Sequence, residues 1–147
     1  MERTLVLVKP DAVQRGLIGK IITRFEEKGF QTAGLKFLWM DEKKAGRLYE
    51  PHFGKAFYEP LVNYMTSGPI TAMVLEGEKV IEQVRNMMGA TNPQNASPGS
   101  IRGDFATRID HNIVHGSDSP ESAQREIPIF FEKAELVDYT KDISKWI

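Results

Sequence analysis

Hydrophobic side chains make up 41% and charged ones 27% of a 147-residue chain, which excludes a disordered protein and suits a single domain over 1–147. Lys and Arg total 19 against 20 Asp and Glu, a net charge of −1, so the basic excess that phosphate-backbone binding draws on is missing and dedicated nucleic-acid binding is disfavoured. Cysteine is absent, which excludes disulfides, a thiolate nucleophile and zinc–thiolate centres.

No apolar run reaches the roughly 18 residues of a membrane span. The N-terminus MERTLVLVKPD lacks the form of a secretory leader, so a cytoplasmic location is the default expectation. Asn95-Ala-Ser97 matches a glycosylation pattern that has no meaning without secretion.

The run from Thr4 to Val8 does not alternate, as a central strand covered on both faces would not. Lys9-Pro10-Asp11 ends it, because proline cannot continue a ladder. Residues 19–28 place Ile21, Ile22 and Phe25 at helical spacing, and Gly29 follows as a C-terminal cap. Residues 30–40 read as a second strand with Leu35, Phe37 and Trp39 on one face. Asp41 is an N-cap for a helix through Tyr49. A break over 51–56 precedes a second short helix over 58–65. The run ITAMVL, 70–75, is a third strand, and 78–88 reads as a helix carrying Val80, Ile81, Val84 and Met88, closed by Gly89.

From Ala90 to Asp110 the periodicity stops in a stretch rich in Asn, Pro, Gly and Ser, a long loop of the kind that is functional or disordered. A short fourth strand over 112–115 and a helix over 120–126 come next. The tail from Ile127 carries Phe130, Phe131, Tyr139 and Trp146, which should dock it. The order β-α-β, helical insertion, β-α-β predicts an α+β fold. Its ferredoxin-like split-βαβ core has a four-stranded antiparallel sheet, helices covering it and a long loop.

Gly16-Leu-Ile-Gly19-Lys20 lacks P-loop spacing and no dinucleotide fingerprint occurs, so any phosphate must be handled by side chains. Of three histidines, His52 and His111 read as surface or hydrogen-bonded rings. His115 stands apart in the stretch NIVHGSDSPE, at a strand end. Gly116 after it leaves room for a ligand, and Ser119-Pro120 opens a helix whose positive end favours an anion.

A neutral imidazole can attack phosphorus if a neighbour fixes its other nitrogen, and Glu126 on the following helix is the candidate neighbour. Residues alone leave His115 open between a nucleophile and a packed structural histidine, and Glu126 between a partner and a solvated carboxylate. Arg85 and Arg102 are candidates for an anion clamp, each equally readable as a surface charge. Lys9, a charge ending an apolar strand, requires a partner or a ligand.

NIVHGSDS from Asn112 to Ser119, with Glu121-Ser-Ala123 and Glu126-Ile127 behind it, resembles the active-site signature of nucleoside diphosphate kinases. The segments RTLVLVKPDAVQRG, SGPITAMVLEG, GATNP and PGSIRGDF extend the resemblance over nearly the whole chain. It implies a ping-pong phosphotransfer: a nucleoside triphosphate phosphorylates His115, and a nucleoside diphosphate of any base collects the phosphate. By position, Lys9, Tyr49, His52, Arg85, Thr91, Arg102 and Asn112 match phosphate and ribose contacts. Phe57 matches the ring on which the base stacks. Ser117 and Glu126 match the pair that supports the catalytic histidine.

The same resemblance implies Mg²⁺ carried by the nucleotide's phosphates, with no protein metal cage. It also implies a homohexamer, with a homotetramer as the alternative, because the segment around Pro93 and the tail from Leu136 resemble oligomer contacts. Ala56 before Phe57-Tyr58, His111 before Asn112, and Pro128 at the end of the last helix depart from the family pattern. Other readings are a non-catalytic binding module, and a phosphohistidine phosphatase or carrier that passes its phosphate to water or a protein.

Overall fold

The computed structural model describes residues 1–147. Strand β1 (Glu2–Val8) leads into helices α1 (Pro10–Gln14) and α2 (Ile18–Lys28), then strand β2 (Gln31–Trp39). Helix α3 (Glu42–Leu48), a 3-10 turn (Glu50–His52) and helix α4 (Tyr58–Met65) form the helical insertion. Strand β3 (Pro69–Gly77) and helix α5 (Val80–Met88) come after it, then a 3-10 turn (Pro93–Asn95), helix α6 (Ile101–Phe105), strand β4 (Val114–Gly116) and helix α7 (Pro120–Phe130). The sheet order is β2-β3-β1-β4 with every pair antiparallel, the split-βαβ arrangement expected.

β1 does not alternate because both faces are covered. Val6 and Val8 pack with Phe25 of α2 and with Val84 and Met88 of α5. Leu5 and Leu7 pack on the other side with Leu48 of α3, Met65 of α4 and Phe130 of α7. Removing each such side chain from water contributes about 1.5–3 kcal/mol, which makes the two-sided core the main support of the fold. Leu35, Phe37 and Trp39 do share one face of β2, and that face is 56–65% exposed on this edge strand.

Local signals hold at several ends. The Asp41 carboxylate accepts from the Lys44 amide at 2.7 Å as the N-cap of α3. Gly29 closes α2 at φ 107°, a conformation that suits a residue without Cβ.

Five expectations need correction. Pro10 does not merely end β1: it starts α1 at the first helical position, where its missing N–H has no role. The 90–110 stretch is not one loop, because Ser100 caps α6 by accepting from Gly103 N at 3.1 Å. β4 begins two residues later than expected, and α7 runs four residues beyond Glu126, with Pro128 inside it. Proline removes only one donor there, and burial of Ile129 and Phe130 carries the helix through. The tail docks in part: Phe130 and Phe131 are buried, whereas Tyr139 and Trp146 are exposed.

A Cβ on Gly103 would sit 2.0 Å from the Ser97 carbonyl oxygen, a backbone atom, whereas one on Gly19 would meet nothing within 4 Å. Gly103→Ala is therefore expected to lower stability by about 1–3 kcal/mol through overpacking. Gly19→Ala, in the exposed first turn of α2, should raise it by about 0.5–1 kcal/mol. Urea unfolding midpoints compare the two, and equal midpoints would contradict this packing.

Candidate active site

β4 runs antiparallel to β1 with Val114 opposite Val8 and His115 opposite Leu7. Lys9 therefore arrives beside Asn112 and Ile113, and the backbone bond from Lys9 N to Ile113 O measures 2.9 Å. His115 faces the side of the sheet that α3, α4 and α7 cover, where Leu7 also packs. Ile113 itself holds φ 63°, a left-handed conformation that is costly for a β-branched residue. It is fully buried in the core, so packing fixes this strained turn immediately before the histidine.

The His115 ring is tied into a buried chain of hydrogen bonds. Nε2 lies 2.9 Å from Glu126 Oε1, and the Ser117 hydroxyl donates to the same oxygen at 2.8 Å. Ser117 Oγ in turn accepts from the Leu5 amide at 3.3 Å. Burial raises the Glu126 pKa, but the bonds from His115 and Ser117 and the charges of His115 and Arg125 outweigh it, leaving the carboxyl below its usual range. An ionised carboxylate only accepts, so Nε2 carries the ring proton and Nδ1 keeps the free lone pair.

His115 opens onto a cleft of about 700 Å³. Lys9, Tyr49, His52, Phe57, Arg85, Thr91, Arg102 and Asn112 all line it with His115 and Glu126, while Ser117 stands behind them, buried. Lys9 Nζ donates to Asn112 Oδ1 at 2.7 Å, and Asn112 Nδ2 donates to the Thr91 carbonyl at 3.1 Å. Burial, and then the Arg102 charge, push the Lys9 amine down to about 7.

Arg102 is likewise buried, its guanidinium donating to the carbonyls of Asn112, Gly89 and Val114 at 3.2, 3.0 and 2.7 Å. Burial and the neighbouring Arg85 bring it down to about 10, so it stays charged. Lys9, Arg85, Arg102 and Arg125 thus share one cleft with Asp110, Asp118 and Glu126, a small excess of positive charge suited to a polyanion. The Tyr49 hydroxyl and His52 Nδ1 are buried without hydrogen-bond partners.

Of two expectations about the histidine's neighbours, one fails and the other is narrowed. A Cβ on Gly116 would lie 2.6 Å from Met88 Sδ and 3.3 Å from Val84 Cγ1, so its missing side chain makes room for α5 and not for a ligand. The start of α7 is partly closed too, since the Ser122 amide donates to Ser119 Oγ at 3.1 Å and the Ser122 hydroxyl to Asp118 at 2.6 Å. His111 is half-exposed and lies edge-on to Tyr64 at 5.4 Å.

Residues that sequence reasoning missed also line the cleft. Tyr64 donates to Asp11, and Ile109 presents an exposed apolar side chain near the rim. Arg125 lies against Glu126. Only Asp11, directly after Lys9-Pro10, carried a local hint. No three His, Asp or Glu side chains group to hold a metal ion.

A family model described as nucleoside diphosphate kinase matches residues 2–136. A nucleoside diphosphate kinase of Carboxydothermus hydrogenoformans is 54% identical over all 147 residues and 99% of its own length, and one of Desulforamulus reducens is 55% identical over the same shares. Among solved structures, a halophilic nucleoside diphosphate kinase from Halobacterium salinarum in complex with CDP superposes with a TM-score of 0.96 at 51% identity, covering 99% of this chain and 97% of that one. A nucleoside diphosphate kinase family protein from Babesia bovis gives 0.97 at 40% identity, covering 99% of both.

The depressed Lys9 amine generates a prediction. At pH 8 it is mostly neutral in the free protein. An anion beside it favours the charged form, so binding takes up a proton. Calorimetry of pyrophosphate binding in buffers of different ionisation heat should show proton uptake that Lys9→Met abolishes, with affinity falling as pH rises above 7. No difference between the two proteins would contradict the assignment.

Proposed function

This chain belongs to the nucleoside diphosphate kinase family, and we propose that it transfers the γ-phosphate of a nucleoside triphosphate to a nucleoside diphosphate by a ping-pong mechanism through a phosphohistidine on His115. The relay from the Leu5 amide through Ser117 and Glu126 to His115 Nε2 carries this reading, because it leaves Nδ1 as a fixed nucleophile facing the cationic cleft. A merely structural histidine has no need of an ionised carboxylate held by a second donor.

In the first half-reaction Nδ1 attacks the γ-phosphorus, and the bond to the bridging oxygen breaks, releasing the diphosphate. The positive charge that develops on the ring is balanced by Glu126 through Nε2–H, with no proton transfer needed. In the second, a terminal oxygen of another diphosphate attacks the phosphorus and His115 leaves as neutral imidazole. Lys9, Arg85 and Arg102 would offset the phosphates' charge, with Asn112, Thr91, Tyr49 and His52 as the polar groups that seat phosphate and ribose. Phe57 and Ile109 offer exposed apolar surface to the base, and a ring face accepts every base, which supports broad specificity. Mg²⁺ would come as an ion carried by the nucleotide's phosphates. When bound it would neutralise phosphate charge.

For the assembly we propose a homohexamer, supported by Leu35, Phe37 and Trp39, large side chains left exposed on the sheet's edge strand. Light scattering should then give six times the 16.6 kDa chain mass. Four times that mass means the tetramer instead, and a monomer overturns both.

Incubation with γ-labelled ATP and Mg²⁺ should place acid-labile, base-stable label on the chain, and GDP should collect it as GTP. His115→Ala should abolish labelling. Glu126→Gln should slow it by about 10²–10⁴-fold, because an amide can donate to Nε2 and force the proton onto Nδ1. Label that leaves as inorganic phosphate points to a phosphatase, and label that survives His115→Ala overturns the proposal.

A further inference from the structure

Arg125 takes no part in the relay, yet both of its terminal nitrogens are engaged. Nη1 donates to the Arg47 carbonyl at 2.9 Å, and Nη2 donates to the Leu48 carbonyl at 3.1 Å while lying 3.5 Å from Glu126 Oε2. Arg47 and Leu48 end α3, where the last carbonyls lack helical donors and carry the negative end of the dipole. Four residues beyond Arg47 stands Pro51, which has no N–H to offer its carbonyl. One cation on α7 therefore supplies both missing donors and sits against the outer oxygen of the carboxylate whose inner oxygen holds His115.

The end of α3 that Arg125 grips is also the start of one wall of the cleft. Tyr49, His52 and Phe57, in the next nine residues, line that cleft together with the histidine. Both Arg125 nitrogens that reach partners are spent on carbonyls and on Glu126, so the side chain works as a brace.

We propose that Arg125 is a positioning residue that locks the Tyr49–Phe57 wall of the cleft to the Glu126 carboxylate, so that the nucleotide-facing wall and the nucleophile's support keep one geometry. The inference rests on the reading of His115 as the nucleophile. Lysine could replace the charge and one hydrogen bond but not the fork. The titratable and charged groups facing Glu126 are His115 from β4, Arg125 on its own helix and the Tyr49 phenol after α3. Of these, His115 and Arg125 hold the carboxyl down, so losing Arg125 lets it protonate at higher pH.

The test uses the full-length protein with Arg125→Met and Arg125→Lys, following single-turnover labelling of His115 by γ-labelled ATP across pH. Arg125→Met is expected to raise the nucleotide concentration for half-maximal labelling and to lower the maximal rate, together costing about tenfold or more in efficiency. Its acid limb should move to higher pH. Arg125→Lys, which keeps the charge but not the fork, should hold the acid limb near that of wild type and recover only part of the lost half-saturation and rate. Thermal unfolding separates a misfolded Arg125→Met from a misaligned one, and a folded Arg125→Lys keeps the comparison valid if it misfolds. Wild-type half-saturation and an unmoved acid limb in folded Arg125→Met would overturn the proposal. Failure of the wild-type protein to label on His115 would instead overturn the nucleophile reading beneath it.

Discussion

A carboxylate removed from water must find donors or give up its charge, and the arrangement around Glu126 answers that requirement. His115 and Ser117 meet one oxygen, Arg125 lies near the other, and Ser117 is itself held by a backbone amide of the central strand. Each donor comes from a different place: β4, the turn after it, and α7. The ion is therefore stable only when the sheet and the covering helix are in register. The two-sided core around β1 supplies that register, and the polar chain depends on it.

The cations across the cleft obey the opposite logic. Lys9 and Arg102 are buried with carbonyl and amide partners but little negative charge, so each is destabilised until an anion arrives. Folding places them there because hydrophobic burial along β1 and β4 outweighs their desolvation. A P-loop reaches similar electrostatics with backbone amides at a helix start. Here α7 and α6 spend part of their first-turn amides on Ser119 and Ser100, and side chains take over the anion. The strained Ile113 between Asn112 and His115 belongs to the same design, since a buried side chain holds a turn that a free chain would relax.

Local rules read the regular elements well. The Asp41 cap reflects an interaction within a few residues, and the lack of alternation in TLVLV and the helical spacing of α2 and α5 record which faces are buried in residue identity alone, so each was legible. Pro128 misled because a helix tolerates one missing donor when Ile129 and Phe130 gain burial beyond it. Gly116 misled for a related reason: its neighbour in space is Met88 of α5, which no spacing along the chain reveals. Arg125 was invisible because its carbonyl partners lie 77 and 78 residues away.

By itself the sequence determined the order of the elements, the two-faced central strand and, through NIVHGSDS and the segments that share its family pattern, which residues to watch. These rest on short-range propensity and on residue identity, both written directly in the chain. Only the tertiary structure decided which nitrogen of His115 is engaged, that Lys9 meets Asn112, and that α3 is braced onto α7. Such facts depend on strand register and helix packing, set jointly by dozens of weak apolar contacts across the whole chain.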